Sequence, residues 1–331
     1  MTEAPTLVTG ATGFVGSAVA RALAAHGHAL RLLVRPGADT RNLDGLAAER
    51  VVGDLTDPPS LARAVAGCRH VVHVAADYRI WVPDPAAMRR VNVAGTLALL
   101  HAARAAGVAR LVYCSSVAAL GLTPDGTPAD ETTPVGHVIG HYKQSKHEAE
   151  QAVLRFIAET GFDAVIVNPS TPIGPRDIKP TPTGKMIADA ASGRIPAYLD
   201  TGLNIVHVDD VAEGHVLALA RGRRGERYIL GGTDLRMAEL LALVNHVVGR
   251  RRRPVRLSVP LLWPLAIGAE AAARAFGVAP LVTRDHLRMA RKTMFFSSAK
   301  AVRELGYTFR PPEPAIADAV AWFRAMGYLR P

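Results

Sequence analysis

The stretch that decides the fold is residues 6–16, which read TLVTGATGFVG. A short apolar run ends at Thr9, and glycines follow at positions 10, 13 and 16, in the spacing G-x-x-G-x-x-G. Such glycines let the backbone approach a pyrophosphate, and the N-terminus of a following helix offers free N–H groups to its charge. The Ala-rich helical pattern after them predicts a dinucleotide-binding turn between a strand and a helix. A tight turn without a ligand is the alternative.

Short apolar runs alternate with helical patterns through the first half of the chain. The predicted strands are residues 6–8, 29–34, 51–52, 70–75, 110–114 and 164–168, and the predicted helices are residues 15–26, 60–66, 91–106 and 142–160. This alternation is typical of an α/β fold with a doubly wound, parallel Rossmann sheet. We expect an NAD(P)-binding domain over residues 1–168, with returns to the sheet at 204–208 and 227–230. Residues 169–203 and 231–331 are predicted to form a smaller α/β substrate-binding domain.

Composition and charge exclude several classes of protein. The chain has 331 residues, of which 49% are hydrophobic and 21% charged, so a disordered or disulfide-scaffold protein is excluded. The net charge is +10, with 17 Lys and Arg against 16 Asp and Glu in residues 1–180, and 22 against 13 afterwards. A basic second half could attract nucleic acid, anionic lipid or an anionic substrate. Only 5% of residues are aromatic and no nucleic-acid motif is present, which disfavours nucleic acid.

Location and metal binding follow from what the sequence contains. The N-terminus has no basic segment followed by an apolar one, so we expect no signal peptide and a cytoplasmic protein. The two cysteines, Cys68 and Cys114, form no metal-ligand cluster, and we expect no metal site.

Arg35 stands at the end of the second predicted strand. In dinucleotide-binding folds an acid near this point binds the ribose of NAD, whereas an arginine can pair with the 2′-phosphate of NADP. No acid follows until Asp39. We therefore expect NADP as the cofactor, with NAD as the alternative.

Tyr142 and Lys146 are four residues apart, which places them on one face of a helix. A lysine ammonium beside a phenol stabilises the phenolate and lowers its pKa, as acid–base catalysis near neutral pH requires. Ser115 and Ser116 follow the fifth strand, at the sheet edge where ligands bind, and a serine there can hydrogen-bond a substrate oxygen. Local backbone capping is the alternative role for the serines.

These motifs together resemble the extended short-chain dehydrogenases/reductases. The further matching pieces are residues 53–55 (GDL), 73–76 (HVAA), 91–96 (VNVAGT), 168–170 (NPS) and 207–211 (HVDDV). Within that family the sequence is similar to the dihydroflavonol-4-reductase-like branch, and inside it to the hopanoid-associated sugar epimerases, through residues 169–185 and 289–306.

The resemblance implies a role for each matching residue. Tyr142 would be the general acid–base, Lys146 would tune it and hold the nicotinamide ribose, and Ser116 would be the catalytic serine. The remaining positions would contact the cofactor: Gly10, Thr12, Gly13, Phe14, Val15 and Gly16 at the pyrophosphate, Asp54 and Leu55 at the adenine, Ala75, Ala76 and Asn92 along its trough, and Pro169 and Ser170 at the nicotinamide. A homodimer through residues 91–106 and 142–160 is the family expectation.

Three functions stay open at this point. The first is hydride transfer at a substrate alcohol or carbonyl carbon by a sugar epimerase of hopanoid biosynthesis. The second is an NADPH-dependent ketone reductase, which Arg35 favours because the family's epimerases usually carry an acid there. The third is a non-catalytic NADP sensor, which the presence of Tyr142 and Lys146 disfavours.

The run of arginines at 250–253 precedes an apolar segment at 257–273. A solvated loop followed by a helix over the substrate pocket is the plainer interpretation. The alternative is an interfacial helix whose arginines meet anionic lipid headgroups, which predicts peripheral membrane contact.

Overall fold

The computed structural model describes residues 4–79, 84–136, 138, 140–251, 254–276, 287 and 292–329. The strands described are β1 Thr6–Thr9, β2 Leu30–Val34, β3 Glu49–Val52, β4 His70–His73, β5 Arg110–Cys114, β6 Ala164–Pro169, β7 Thr171–Ile173, β8 Ala197–Leu199, β9 Gly202–His207, β10 Arg227–Leu230, β11 Thr233–Arg236, β12 Val255–Leu257 and β13 Thr293–Met294. The α-helices described are α1 Phe14–Ala25, α2 Pro58–Val65, α3 Pro85–Arg89, α4 Thr96–Ala105, α5 His141–Thr160, α6 Pro182–Ala191, α7 Val208–Arg221, α8 Met237–Val247, α9 Val259–Phe276, α10 Ala299–Leu305 and α11 Pro312–Ala325. Short 3₁₀ turns cover Arg41–Leu43 and Val117–Ala119.

Seven parallel strands form the main sheet in the order β3-β2-β1-β4-β5-β6-β10. The first six in this order are arranged as in the Rossmann fold, so the predicted α/β fold is confirmed. All four residues of β1 are buried because helices cover both faces of the sheet. Val8 lies in the core beneath α1 and α7, while its neighbour Leu7 lies in the opposite core, beneath α2, α4 and α5.

The predicted helix at residues 91–106 needs a correction. A π-helical segment, Arg90–Gly95, joins α3 to α4, so the helical region begins earlier and its first part is wider than an α-helix. Within this segment the backbone lies close to Leu55, in the loop after β3. A Cβ on Gly95 would be 2.8 Å from Leu55 Cβ. A π segment has no hydrophobic period of its own to reveal it in the sequence.

A second sheet forms around β9, which pairs with β7 and β13 in parallel and with β11 in antiparallel fashion. The prediction that residues 204–208 return to the main sheet is wrong, because β7 turns away directly after β6 and takes β9 as its partner. Residues 227–230 do join the main sheet, as β10 beside β6. Ile173, Ile205 and Leu240 belong to a separate core with α6, α8 and α11. The domain limits at 168 and 231 stay a prediction.

Candidate active site

The glycine-rich turn between β1 and α1 lies at the carboxyl edge of the main sheet. Gly10 has a φ of +75°, and a Cβ there would lie 2.7 Å from Ala75 N. A Cβ on Gly16 would lie 2.0 Å from the Gly10 carbonyl oxygen, so neither position accepts a side chain. α1 begins at Phe14, and its N-cap Gly13 has no side-chain acceptor for the first N–H groups of the helix. This cradle fits the pyrophosphate of a dinucleotide.

Arg35 directly follows β2 at the same edge. Its side chain is exposed and has no hydrogen bond or ion pair with any residue that the structure describes. Burial raises the pKa of the Asp54 carboxyl, but hydrogen bonds from Thr56 and the charge of Arg35 lower it, and the net pKa is lowered. Asp39, the first acid after β2, is held by Arg41, with 2.7 Å between Oδ2 and Nη2. An unengaged guanidinium beside an engaged acid fits the 2′-phosphate of NADP.

The residues predicted along the cofactor trough share this edge because β1, β3 and β4 are parallel. Leu55 follows β3 and is buried against Gly95. Ala75 and Ala76 follow β4, and Ala75 N donates to Thr9 Oγ1 at 3.2 Å. The ends of these strands are therefore held close to the glycine turn.

Ser115 and Ser116 follow β5 and are placed differently. Ser115 is 4% exposed, and its hydroxyl donates to Glu150 Oε2 at 2.5 Å. Ser116 is half-buried, hydrogen-bonds to Tyr142 and accepts from Ala118 N at 3.1 Å. Of the two, Ser116 is the serine that a substrate oxygen can reach.

Tyr142 lies in the first turn of α5, where its phenol meets Ser116. Burial raises the pKa of Tyr142 to about 12, although the hydrogen bond with Ser116 acts to lower it. The phenol is therefore protonated at neutral pH. It can donate a proton to an oxygen bound beside both hydroxyls.

Lys146 is buried one turn further along α5, with 3% of its surface exposed. Its Nζ donates to the Cys114 carbonyl at 2.9 Å and to the Tyr113 hydroxyl at 3.5 Å, and lies 5.0 Å from the centre of the Tyr113 ring. Burial lowers the pKa of Lys146. The ammonium of Lys146 is engaged at the end of β5, and burial of the phenol outweighs the interactions that lower the Tyr142 pKa. The role of Lys146 in tuning Tyr142 stays a prediction.

Asn92 lies in the π segment and ties α5 to the loop after β4. It is 2% exposed, and its Nδ2 donates to Ser145 Oγ and to the Asp77 carbonyl, both at 2.9 Å. Its Oδ1 accepts from Asp77 N at 2.7 Å. Ser145 in turn donates to the Tyr142 carbonyl at 2.8 Å, so Asn92 holds the turn of α5 that carries Tyr142.

Pro169 and Ser170 lie where β6 ends. Ser170 N donates to the Leu230 carbonyl at 3.2 Å, which holds the backbone against β10. The Ser170 hydroxyl is buried and has no hydrogen-bond partner among the described residues. An orphaned hydroxyl at this edge fits a ligand group such as the nicotinamide amide, as predicted from the resemblance.

Asn42 is a site residue that the sequence did not reveal. It is 3% exposed, and its Nδ2 donates to the carbonyls of Thr12 at 3.2 Å, Gly13 at 3.4 Å and Arg176 at 3.0 Å. The glycine turn is thereby joined to the loop after β7. Asn42 lies in the short 3₁₀ turn Arg41–Leu43, and no motif marks it.

Comparison with known proteins identifies the family. The model of the NAD dependent epimerase/dehydratase family matches residues 6–231. A Synechocystis sp. protein, provisionally named a dihydroflavonol 4-reductase, is 45% identical, covering 98% of this chain and 95% of that protein. Sterol demethylase protein B of Methylococcus capsulatus is 35% identical, covering 98% of this chain and 99% of that protein. The crystal structure of gox2253 has a TM-score of 0.91 and 59% identity, covering 99% of this chain and 100% of that chain.

The fold and the site thus define an NAD(P)-dependent oxidoreductase. The chain belongs to the NAD-dependent epimerase/dehydratase family, within the extended short-chain dehydrogenases/reductases. Among the described residues no cluster of three His, Cys, Asp or Glu could hold a metal ion.

Proposed function

We propose that the protein is an NADP(H)-dependent reductase of an apolar ketone, or a dehydrogenase of the corresponding secondary alcohol. The observation that carries this proposal is the unengaged side chain of Arg35 at the end of β2, beside an Asp39 that Arg41 already holds. The names of the two relatives, a dihydroflavonol 4-reductase and a sterol demethylase protein, support an apolar multi-ring substrate.

The chain's own residues supply the polar half of the reaction. When bound, NADPH supplies a hydride for the carbonyl carbon. Ser116 and Tyr142 hold the carbonyl oxygen, and the protonated Tyr142 transfers its phenolic proton to that oxygen as negative charge develops there. Burial keeps the phenol protonated at neutral pH, so it has a proton to donate. Lys146, held by the Cys114 carbonyl, supplies positive charge within the same turn of the helix and stabilises the phenolate that forms.

Sugar epimerisation is the second candidate, favoured by the match to the epimerase/dehydratase family over residues 6–231. An epimerase keeps its cofactor and shows no net redox change, whereas a reductase releases NADP. Release of the nucleotide from heat-denatured protein separates the two: retained NAD supports the epimerase. A place in hopanoid biosynthesis stays a prediction from resemblance.

The test of the proposal is a charge reversal at Arg35. Arg35→Asp removes the partner of the 2′-phosphate, so we expect the Kd for NADPH to rise about 10–100-fold while that for NADH falls or stays constant. The matched control is Arg50→Asp, which changes the same charge at an exposed position of β3. Unchanged NADPH affinity in Arg35→Asp would refute the cofactor assignment.

Assembly and location are proposed from the resemblance. We propose a homodimer through α4 and α5 in the cytoplasm. Light scattering of the purified chain measures the mass, and a monomer at micromolar concentration contradicts the dimer.

A further inference from the structure

Helix α9 presents an unusual surface to solvent. Among the residues of α9 whose side chains the structure describes, the exposed ones are all apolar, and we name them the α9 face: Pro260, Pro264, Leu265, Ile267, Ala271 and Ala272, with Gly268 between them. At 3.6 residues per turn they cover one continuous arc of about 160°. Ala266 is fully buried on the other side, and the carboxylate-bearing Glu270 also lies outside the exposed arc. The polarity of this helix is inverted relative to an ordinary surface helix.

Helix α11, in the same half of the chain, has polar residues on its exposed side and apolar residues on its buried side. Its exposed positions include Glu313, Asp318 and Arg324, and its inward positions include Ile316 and Phe323. This is the usual pattern for a helix that faces water. The α9 face is therefore a local departure and not a general property of this domain.

The apolar surface extends along the chain into β12. Val255 is 63% exposed and Leu257 36%, beside 62% for Leu265 and 53% for Ile267. Half of the eight large hydrophobic side chains that are exposed among the described residues thus lie between positions 255 and 267. A cluster of this kind marks a surface that binds something other than water.

The charge around this surface indicates what it binds. Residues 240–269 contain five arginines and no Asp or Glu. Arg250, Arg251 and Arg256 are exposed, whereas Arg252 and Arg253 lie outside the described residues. Arg256 pairs with Asp200 at 2.7 Å, yet its side chain remains 66% exposed and can turn to another anion. Apolar side chains beside exposed arginines complement an anionic lipid surface, where the acyl boundary and the phosphates lie together.

We propose that the α9 face and β12 dock the protein on an anionic bilayer, with Leu265 and Ile267 inserted at the headgroup boundary and Arg250, Arg251 and Arg256 on lipid phosphates. The contact is peripheral. None of the helices in the described part of the chain has the length and apolar character to span a bilayer. Docking does not depend on the reaction assigned above, because Tyr142 and Arg35 take no part in it.

The test is sedimentation of the full chain with vesicles. We expect wild type to sediment with mixed phosphatidylcholine–phosphatidylglycerol vesicles, to stay in solution with phosphatidylcholine alone, and to be released by high salt. Leu265→Glu with Ile267→Glu should lower the bound fraction at least about tenfold. The matched control is Val302→Glu with Phe309→Glu, two exposed apolar residues elsewhere, which should bind as wild type does. A second variant, Arg250→Glu with Arg251→Glu, changes residues outside α9 and should also abolish binding. It keeps the test valid if the α9 variant misfolds.

Three results overturn the proposal. The first is wild type that sediments with neither vesicle. The second is binding to phosphatidylcholine alone that equals binding to the mixture and resists salt. The third is light scattering in which the Leu265→Glu and Ile267→Glu pair turns a dimer into a monomer, since the α9 face would then be a contact between two copies of the chain. Circular dichroism of each variant checks that it is folded.

Discussion

The two halves of the chain distribute apolar and charged side chains in opposite ways. In the N-terminal half, every residue of β1 is buried and the charged Arg35 faces outward. In the C-terminal half, α9 exposes the apolar Leu265 and Ile267, while Glu270 lies outside the exposed arc. The first arrangement serves a ligand with phosphates, which needs glycine turns and an unengaged cation. The second leaves apolar surface for a partner. The single positive charge of Arg35 therefore serves the ligand site, whereas the net charge of +9 in residues 181–331 belongs to the half with the apolar surface.

The largest effect is expected from Tyr142→Phe, which tests whether chemistry lies wholly in the N-terminal half. Loss of the phenolic proton donor should lower kcat about 10²–10⁴-fold, because general acid catalysis contributes that much. Cofactor affinity and the bound fraction on vesicles should not change. Steady-state kinetics and a nucleotide titration make the measurement, and turnover at the wild-type rate would remove Tyr142 from the mechanism.

The two serines after β5 provide a matched pair within one strand end. Ser116→Ala should lower kcat about tenfold or more with little change in Tm, because its hydroxyl faces Tyr142. Ser115→Ala should lower the free energy of unfolding by about 1–3 kcal/mol, since the buried Glu150 carboxylate loses the donor at 2.5 Å and keeps only Asn168 and Arg227 among the described residues. Kinetics and thermal unfolding of both variants give the answer. Equal losses of activity would mean that the assignment of Ser116 fails.

Gly16→Ala tests the cradle at the start of α1. The added Cβ would lie 2.0 Å from the Gly10 carbonyl oxygen, so the turn must shift. We expect a loss of about 1–3 kcal/mol in the free energy of unfolding and weaker nucleotide binding. Gly268→Ala is the control, because a Cβ there meets nothing within 4 Å. A Gly16→Ala variant as stable as wild type, with full affinity, would contradict the close approach.

Asp177, in the loop that Asn42 joins to the glycine turn, gives an effect that appears only as the pH changes. Burial raises the pKa of its carboxyl to about 6, although hydrogen bonds from Thr181 lower it. The folded state therefore holds this proton more tightly than the unfolded state does. Its stabilising contribution is complete below about pH 4 and is lost as the pH rises to about 6, by about 3 kcal/mol.

Asp177→Asn carries no titrating proton, so its stability relative to wild type should improve between those pH values. Urea unfolding at several pH values measures the difference. Asp125→Asn is the control, because hydrogen bonds from Thr127 lower the pKa of that exposed carboxyl and the pH effect should have the opposite sign. A flat difference for Asp177→Asn would show that its carboxyl titrates normally.

The sequence predicts the N-terminal half well because its signals are local. The glycines of residues 6–16 and the alternation of strand and helix depend on near neighbours along the chain, and the structure confirms the fold that they predict. The pairing of β9 with β7 and the link from Asn42 to Arg176 depend on contacts between distant segments. The orientation of Lys146 towards Cys114 is likewise decided by packing, which spacing alone does not show.

The inverted polarity of α9 is also a feature that the sequence alone does not predict. The sequence of residues 257–273 is apolar with few interruptions. It is compatible both with a helix that covers a pocket and with an interfacial helix. Only the exposed fractions of Leu265 and Ile267 decide which side faces outward.

The central claim, an NADP(H)-dependent reductase, is tested most directly by titrating the wild-type protein with NADPH and with NADH and following nucleotide fluorescence. We expect NADPH to bind about 10–100-fold more tightly, because Arg35 pairs with the 2′-phosphate, and we expect the purified protein to carry no retained NAD. Tighter binding of NADH, or tightly held NAD in the purified protein, would contradict it.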